Sequence, residues 1–208
     1  MYKLLRFLSF VLTNCWFRLR RCGMENIPAQ DSAIVVCNHI HLMDVACMLT
    51  MTKRQCYFRC KKELFESKFL AKVLSSIGTF PISRGEADIS GIRTALQTLK
   101  DGKLLCIYPE GTRNKARTEP LLPLQDGVAM LALRGKAPIV PCWIEGGFRP
   151  WKRCRMLVGK PMDLSAYEGV RKADAQTLHK LTEEMRLALL DCRAEMENKE
   201  CGRKRIHD

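Results

Sequence analysis

A run of five apolar residues, Ala33–Cys37, passes directly into a polar segment in which His39 and Asp44 stand five positions apart. Such a continuous apolar run predicts a buried strand. The polar segment then lies where that strand opens into a loop or a helix. Because α/β proteins bind their ligands at strand ends, the segment is a candidate functional site.

The two polar residues suit proton transfer. A neutral imidazole held by a carboxylate commonly removes a proton from a hydroxyl near neutral pH. Positions five apart on a regular helix point to different sides, so His39 and Asp44 can hydrogen-bond only if the chain turns tightly between them or a helix starts there. His41 is a second imidazole in this segment. It either competes for Asp44 or faces solvent or the substrate, and the sequence leaves its role open.

The remainder of the chain alternates between predicted strands and predicted helices. Besides residues 33–37, the predicted strands are 55–59, 79–83, 103–108, 137–144 and 155–159. The predicted helices are 45–51, 62–77, 126–134 and 173–197, with one more that begins near residues 88–90 and ends at Gly102. Pro81 indicates that the strand at 79–83 lies at an edge or is irregular. The alternation predicts an α/β fold with a mixed sheet flanked by helices.

Residues 1–22 form a basic and apolar N-terminal segment. Its apolar part is shorter than the ~20 residues of a membrane-spanning helix, and arginines rather than a small-residue cleavage site follow it. On a helix, Leu4, Leu8 and Val11 share one face, which predicts an amphipathic helix lying in the membrane interface. The alternative is an ordinary helix packed on the domain. We expect this segment, one globular domain at 23–198 and a basic tail at 199–208.

The net charge of +13 requires an acidic counterpart. Nucleic acid is not expected to be that partner, because the basic residues are scattered and aromatic residues make up only 7% of the chain. A membrane surface with anionic lipids and an acidic carrier protein are the remaining candidates.

The eleven cysteines include no CxxC pair, and several of them lie inside apolar runs. This distribution indicates a reduced, cytoplasmic protein. Cys56 and Cys60, combined with His39 or His41, match the spacing of no closed zinc site, so no metal is expected.

Two further segments suit phosphate binding. Tyr108 to Arg113, with the sequence YPEGTR, follows a predicted strand. Gly111 allows the backbone to approach a ligand closely, and Arg113 offers a planar guanidinium that matches a phosphate. Arg84 follows another strand in the same way. Taken alone, each segment is more typical of an ordinary surface turn.

Four segments together resemble one family. His39 and Asp44 fit an HX4D motif, and residues 78–84, 108–113 and 139–141 resemble the second, third and fourth blocks in the same order. The chain thus resembles the 1-acylglycerol-3-phosphate (lysophosphatidate) acyltransferases, the HX4D glycerolipid acyltransferases. The resemblance covers roughly residues 26–160.

The resemblance implies roles for individual residues. His39 is implied to be the general base for the acceptor hydroxyl, and Asp44 to orient it. Lys61 is assigned to the thioester oxyanion by its position in its block. The residues implied to bind the substrate phosphate are Arg84, Glu110, Gly111, Thr112 and Arg113. No metal and no cofactor are implied.

The implied reaction moves an acyl group from a thioester of acyl-carrier protein or coenzyme A to a lysophospholipid, giving phosphatidic acid in phospholipid synthesis. The implied place is the cytoplasmic face of the membrane, as a peripheral or monotopic protein. Three alternatives stay open. One is another acceptor, such as glycerol 3-phosphate or a lyso-aminolipid, and another is a non-catalytic lipid-binding module. The third is a metal-dependent hydrolase that uses His39, His41 and Asp44.

Overall fold

A computed structural model describes residues 1–82, 89–170 and 173–198 of the chain. Its strands are β1 (Arg20–Cys22), β2 (Ala33–Cys37), β3 (Cys56–Lys61), β4 (Thr79–Ile82), β5 (Leu104–Ile107), β6 (Ile139–Glu145) and β7 (Arg155–Val158). Within these ranges they form one seven-stranded sheet in the order β1-β7-β6-β2-β5-β3-β4. β6 and β7 are antiparallel, whereas the other neighbours are parallel. The predicted α/β fold with a mixed sheet is confirmed, and the Pro81 strand lies at an edge.

Helices cover both faces of the sheet. They are α1 (Tyr2–Val11), α2 (Asp44–Leu49), α3 (Lys68–Ser76), α4 (Ile89–Lys100), α5 (Gly127–Gly135) and α6 (Ala175–Asn198). Along β2, Ala33, Val35 and Cys37 pack into one core with residues of α2, while Ile34 and Val36 pack into a second core with α4, α5 and α6. The run of five apolar residues is therefore buried on both faces, as a central strand requires.

Two helix predictions need correction. The predicted helix at 62–77 is a short 3₁₀ turn, Lys62–Phe65, followed by α3. Ser67 separates the two because its hydroxyl accepts a hydrogen bond from the N–H of Leu70 and begins a new helix. The apolar spacing in the predicted helix that ends at Gly102 would also place Ile89 inward, but Ile89 is exposed on α4, whereas Ala95 and Leu99 are buried.

The N-terminal segment is a helix only in its first part. α1 ends at Val11, a single π-helical turn covers Leu12–Trp16, and residues 20–22 form β1 beside β7. The predicted amphipathic helix covers only the first part of this segment, because residues 20–22 find backbone partners in the sheet. The proposed division into 1–22 and 23–198 stays a prediction, and the tail at 199–208 lies outside the described residues.

α1 both packs on the domain and exposes an apolar face. The Tyr2 hydroxyl donates to the carbonyl of Arg54 at 3.0 Å, and Leu5 and Leu12 pack against the core. The opposite side exposes Met1, Leu4, Phe7, Leu8, Phe10 and Val11. Within the described ranges, no helix is long and apolar enough to cross a membrane.

The topology places the ends of neighbouring strands together. β2 lies between β5 and β6 and is parallel to both, so their carboxyl ends share one edge of the sheet. The segment after β2 holds the HX4D motif, and the segment after β5 holds YPEGTR. The two motifs are therefore adjacent in space.

Candidate active site

His39 and Asp44 form a hydrogen-bonded pair. Nδ1 of His39 lies 2.9 Å from Oδ2 of Asp44. The imidazole keeps some contact with solvent, while the carboxylate is fully buried. An ionised carboxylate only accepts, so Nδ1 carries the proton in this pair and Nε2 is the basic nitrogen.

The chain turn between the two residues explains how they meet. α2 begins at Asp44, and the N–H groups of Ile40 and His41 both donate to Oδ2 of Asp44 at 2.8 Å. A tight turn and a helix start thus occur together in the segment, which meets the geometric condition set by the five-residue spacing. The same carboxylate oxygen fixes the turn and the imidazole.

Tyr108 supports the imidazole from one side. Its ring stacks on the His39 ring with centroids 4.0 Å apart and an angle of 16° between the planes. Burial raises the pKa of the Tyr108 phenol well above its ordinary value, so the ring stays neutral. The stack restricts the tilt of the imidazole, while its hydrogen bond to Asp44 fixes the rotation.

Glu110 connects the two motif segments. Its Oε1 accepts from the N–H of His39 at 2.7 Å, and its Oε2 accepts from the N–H of Leu122 at 2.9 Å. The N–H of Asn114 donates to the carbonyl of His39 at 2.7 Å, so both backbone groups of His39 are held. Desolvation raises the pKa of Glu110, opposed by these two N–H groups. Glu110 thus contacts the backbone of the site directly.

Gly111 occupies a position that favours glycine. Its φ is +66°, a left-handed conformation, and a Cβ there would lie 2.4 Å from Nε2 of Gln125. The next two residues, Thr112 and Arg113, are exposed. The turn therefore presents backbone and a guanidinium to solvent beside His39, an arrangement that can receive an anionic ligand.

Two of the sequence-predicted site residues are not placed by the structure. Lys61 is the last residue of β3, and its side chain is not described. Arg84 lies outside the described residues. Their assignment to the site stays a prediction.

The imidazole of His41 does not hydrogen-bond to Asp44. Its ring stacks on Phe148 at 4.7 Å, and its Nδ1 accepts from the N–H of Met43 at 3.2 Å. Across the parts of the chain that are described, no three His, Cys, Asp or Glu side chains converge in a way that could hold a metal ion.

Asn38 is a site residue that the sequence reasoning missed. Its side-chain amide donates to the carbonyl of Ile144 at 2.9 Å and accepts from the N–H of the same residue at 2.8 Å. This pairing extends the contact between β2 and β6 by one residue and fixes the exit of the chain toward His39. A buried polar residue directly after an apolar strand is the signal that points to such a role.

The assembled site belongs to a recognisable chemical class. An oriented imidazole at the carboxyl edge of parallel strands, next to a glycine turn and an exposed arginine, is equipped to activate a hydroxyl near an anionic group. A family model described as Acyltransferase matches residues 18–145, more than half of the chain. The chain belongs to this acyltransferase family, which confirms the resemblance found in its sequence motifs.

Two curated relatives illustrate the similarity. The 1-acyl-sn-glycerol-3-phosphate acyltransferase of Bacillus subtilis is 33% identical over 144 residues, which are 66% of this chain and 70% of that protein. The protein of the same description from Saccharomyces cerevisiae is 31% identical over 122 residues, 57% of this chain and 40% of that protein. The chain thus spans less than half of the yeast relative.

A solved structure has the same fold. The crystal structure of the 1-acyl-sn-glycerophosphate (LPA) acyltransferase from Thermotoga maritima matches with a TM-score of 0.68 at 21% identity. The match covers 93% of this chain and 79% of that chain. At this identity the likeness concerns the fold.

Proposed function

We propose that the chain transfers an acyl group from a thioester to the free hydroxyl of 1-acylglycerol-3-phosphate, giving phosphatidic acid for phospholipid synthesis. The observation that carries the proposal is the 2.9 Å hydrogen bond between His39 and the buried Asp44. The relatives described as 1-acyl-sn-glycerol-3-phosphate acyltransferases support this acceptor. A module that only binds lipid has no need of an oriented base.

The proposed reaction proceeds in a ternary complex. Nε2 of His39 takes the hydroxyl proton as the acceptor oxygen bonds to the thioester carbonyl carbon, and Asp44 stabilises the imidazolium that forms. Collapse of the tetrahedral intermediate breaks the carbon–sulfur bond. The imidazolium returns the proton to the leaving thiolate, so histidine ends the cycle neutral. Lys61 is proposed to stabilise the oxyanion of the intermediate.

The phosphate of the acceptor is proposed to bind on the turn after β5. Arg113 supplies a bidentate donor and Thr112 a hydroxyl, Gly111 leaves the turn without a side chain that would obstruct the phosphate, and Arg84 is the second guanidinium. Glu110 serves this site by holding the turn against His39. Its two carboxylate oxygens already accept hydrogen bonds from backbone N–H groups. Its charge therefore holds the backbone of the site in place.

A membrane surface is the proposed working place. The exposed face of α1 is apolar, and the net charge of +13 suits anionic lipids on the cytoplasmic face. Substitution of Leu4 and Leu8 by serine is expected to weaken binding to anionic vesicles. Leu187→Ser on α6, an equally exposed leucine, is the matched control. Unchanged vesicle binding in the α1 variant contradicts this attachment.

The decisive experiment pairs both donors with a panel of acceptors. Purified chain is incubated with acyl-coenzyme A or acyl-carrier protein and with lysophosphatidate, glycerol 3-phosphate or a lyso-aminolipid, and products are identified by mass spectrometry. Lysophosphatidate is expected to be converted to phosphatidic acid, and His39→Ala to lower turnover at least ~10²-fold. His179→Ala, an exposed histidine on α6, is the control. Absence of phosphatidic acid, or full activity in His39→Ala, overturns the proposal.

A further inference from the structure

The connection between β6 and β7 is a basic and aromatic loop. Residues 146–153, here called the β6–β7 loop, read GGFRPWKR and contain no acidic residue. Five of its side chains are exposed, those of Arg149, Pro150, Trp151, Lys152 and Arg153. Trp151 is 68% exposed, which is unusual for an indole in a soluble surface. In the described part of the chain, none of the three cationic side chains forms an ion pair.

The loop is bound to the chain that follows α1. The N–H of Trp151 donates to the carbonyl of Trp16 at 2.9 Å, and the N–H of Cys154 donates to the carbonyl of Phe17 at 3.0 Å. The guanidinium of Arg18 lies over the Trp151 ring, 5.9 Å from its centroid. Trp16 is itself exposed. Two solvent-facing indoles and the Arg18 guanidinium thus lie close together next to the turn that follows α1.

Backbone conformations at this surface are costly. Six non-glycine residues in the described ranges have positive φ, and three of them are Arg18, Phe148 and Trp151. A large side chain rarely adopts this conformation, so surrounding contacts must hold it there. At Arg18 and Trp151 the result is an outward-facing cation next to an outward-facing indole.

We infer that the β6–β7 loop is a second membrane contact, in which its cations bind anionic lipid headgroups and Trp151 enters the interfacial layer beside Trp16. Indoles prefer the boundary between water and hydrocarbon, because one edge is polar and the remainder is apolar. The cationic side chains of the loop, at the depth of the headgroups, bind lipid phosphates. This inference deepens the proposed function, since it assigns a second lipid contact to the same interfacial enzyme.

A bilayer fits the loop better than a protein partner does. The loop is hydrogen-bonded to Trp16 and Phe17, which follow α1 and its exposed apolar side chains, so both elements suit one lipid surface. Its positive charge is spread over several long side chains. This distribution suits a bilayer with many anionic headgroups better than a protein with one cluster of carboxylates. An acidic carrier protein is the competing partner, and the experiment below distinguishes it.

The loop also connects the proposed membrane contact to the site. Phe148 stacks on His41 at 4.7 Å and meets Phe17 edge-on at 5.5 Å. The carbonyl of Gly146 accepts from Nη1 of Arg117 at 3.1 Å. Membrane binding of the loop therefore brings the HX4D segment to the lipid surface, where an acceptor with a hydrocarbon tail resides.

The first test measures binding of the full chain to vesicles of phosphatidylcholine with phosphatidylglycerol. The double variant Lys152→Ala, Arg153→Ala is expected to bind about fivefold more weakly for each charge removed. Lys180→Ala is the control. This exposed lysine lies on α6, which packs on the face of the sheet opposite to the core that contains Phe148 and residues of α1. The control is expected to bind as the wild type does.

The second test detects Trp151 directly. In a Trp16→Phe background the remaining indoles are Trp151 and the buried Trp143. Vesicles with brominated acyl chains are expected to quench the fluorescence of this variant, and an added Trp151→Phe substitution is expected to remove the quenching.

Wild-type affinity in the double variant, or equal quenching with and without Trp151, overturns the inference. A raised KM for an acyl-carrier-protein donor at unchanged vesicle affinity also overturns it, because the partner is then an acidic protein. Vesicle binding requires no turnover, so failure of the proposed acyl transfer gives a separate result.

Discussion

Glu110 accepts the backbone N–H of His39 at 2.7 Å, which joins the turn after β5 to the segment after β2. The contact sets the position of the histidine backbone, while Asp44 and Tyr108 set its ring. The candidate base is therefore held by three side chains, two from the turn after β5 and one from the segment after β2. Each of these contacts can be removed separately.

Glu110→Gln is expected to destabilise the fold. The amide retains one acceptor, but its NH2 group faces an N–H donor of His39 or Leu122, which leaves a buried donor without a partner. The expected loss is about 1–3 kcal/mol in the free energy of unfolding, measured by urea denaturation. Glu119→Gln is the control, because the Glu119 side chain is exposed. Equal midpoints for the two variants would show that the contact contributes nothing.

Asp44→Asn hardly changes the size of the side chain. It is expected to reduce turnover by about 10²-fold or more. The amide can present its oxygen to the backbone N–H groups of Ile40 and His41, or to Nδ1 of His39, but its NH2 group favours the wrong imidazole tautomer. Single-turnover rates with a fixed donor measure the effect. Turnover within a few-fold of the wild type would remove the orienting role from Asp44.

Two substitutions of Tyr108 distinguish the effect of ring stacking from the effect of its hydroxyl. Tyr108→Phe keeps the ring that stacks on His39 and removes a buried hydroxyl that has no hydrogen-bond partner among the described residues. This variant is expected to retain activity and to be at least as stable as the wild type. Tyr108→Leu removes the stack and is expected to lower kcat. The two kcat values provide the measurement, and equal values would contradict a role for stacking.

The strands and the paired residues could be predicted from sequence because their signals are local. The apolar run at Ala33–Cys37 is visible without any partner, and the HX4D motif occupies six consecutive positions. The strand order could not be predicted in this way, since pairing depends on contacts between distant segments. The short strand β1 was not predicted for the same reason. Residues 20–22 continue a basic and apolar segment and form a strand only because they pair with β7.

The contacts behind the site were less accessible to sequence reasoning. Glu110 carries a charge next to Arg113, and that proximity suggests a ligand contact or a surface ion pair. Its burial and its two backbone partners appear only when the ends of β2 and β5 are adjacent. The role of Asn38 likewise depends on Ile144, a residue more than one hundred positions away. Side-chain types are evident in a sequence, whereas partners across the sheet are not.

Arg113→Ala is expected to weaken binding of the phosphorylated acceptor. Loss of a charged hydrogen bond of about 1.5–3 kcal/mol corresponds to a KM raised roughly 10- to 100-fold. Arg134→Ala is the control, because this exposed arginine lies on α5. The KM for lysophosphatidate is compared with that for a monoacylglycerol. A parallel change for both acceptors would argue against a phosphate contact at Arg113.

The buried cysteines are expected to make the fold sensitive to alkali. Burial raises the pKa of Cys37 and Cys106 well above the ordinary value. The unfolded chain therefore releases these thiol protons at about pH 8.5 while the folded chain retains them, so their stabilising contribution is complete below that pH and is lost as the pH rises. Each thiol is expected to lower the free energy of unfolding by about 1.4 kcal/mol per pH unit above this value.

Urea denaturation of the reduced protein at a series of alkaline pH values measures this slope. Cys106→Ala is expected to lose stability at every pH, because it leaves a cavity in the core, and to show a shallower dependence on alkaline pH. Cys15→Ala is the control, since Cys15 is exposed. The slope itself is the readout, so the constant cost of the cavity does not obscure it. The same slope in Cys106→Ala and the wild type would contradict the assignment, because one fewer buried thiol must release one fewer proton on unfolding.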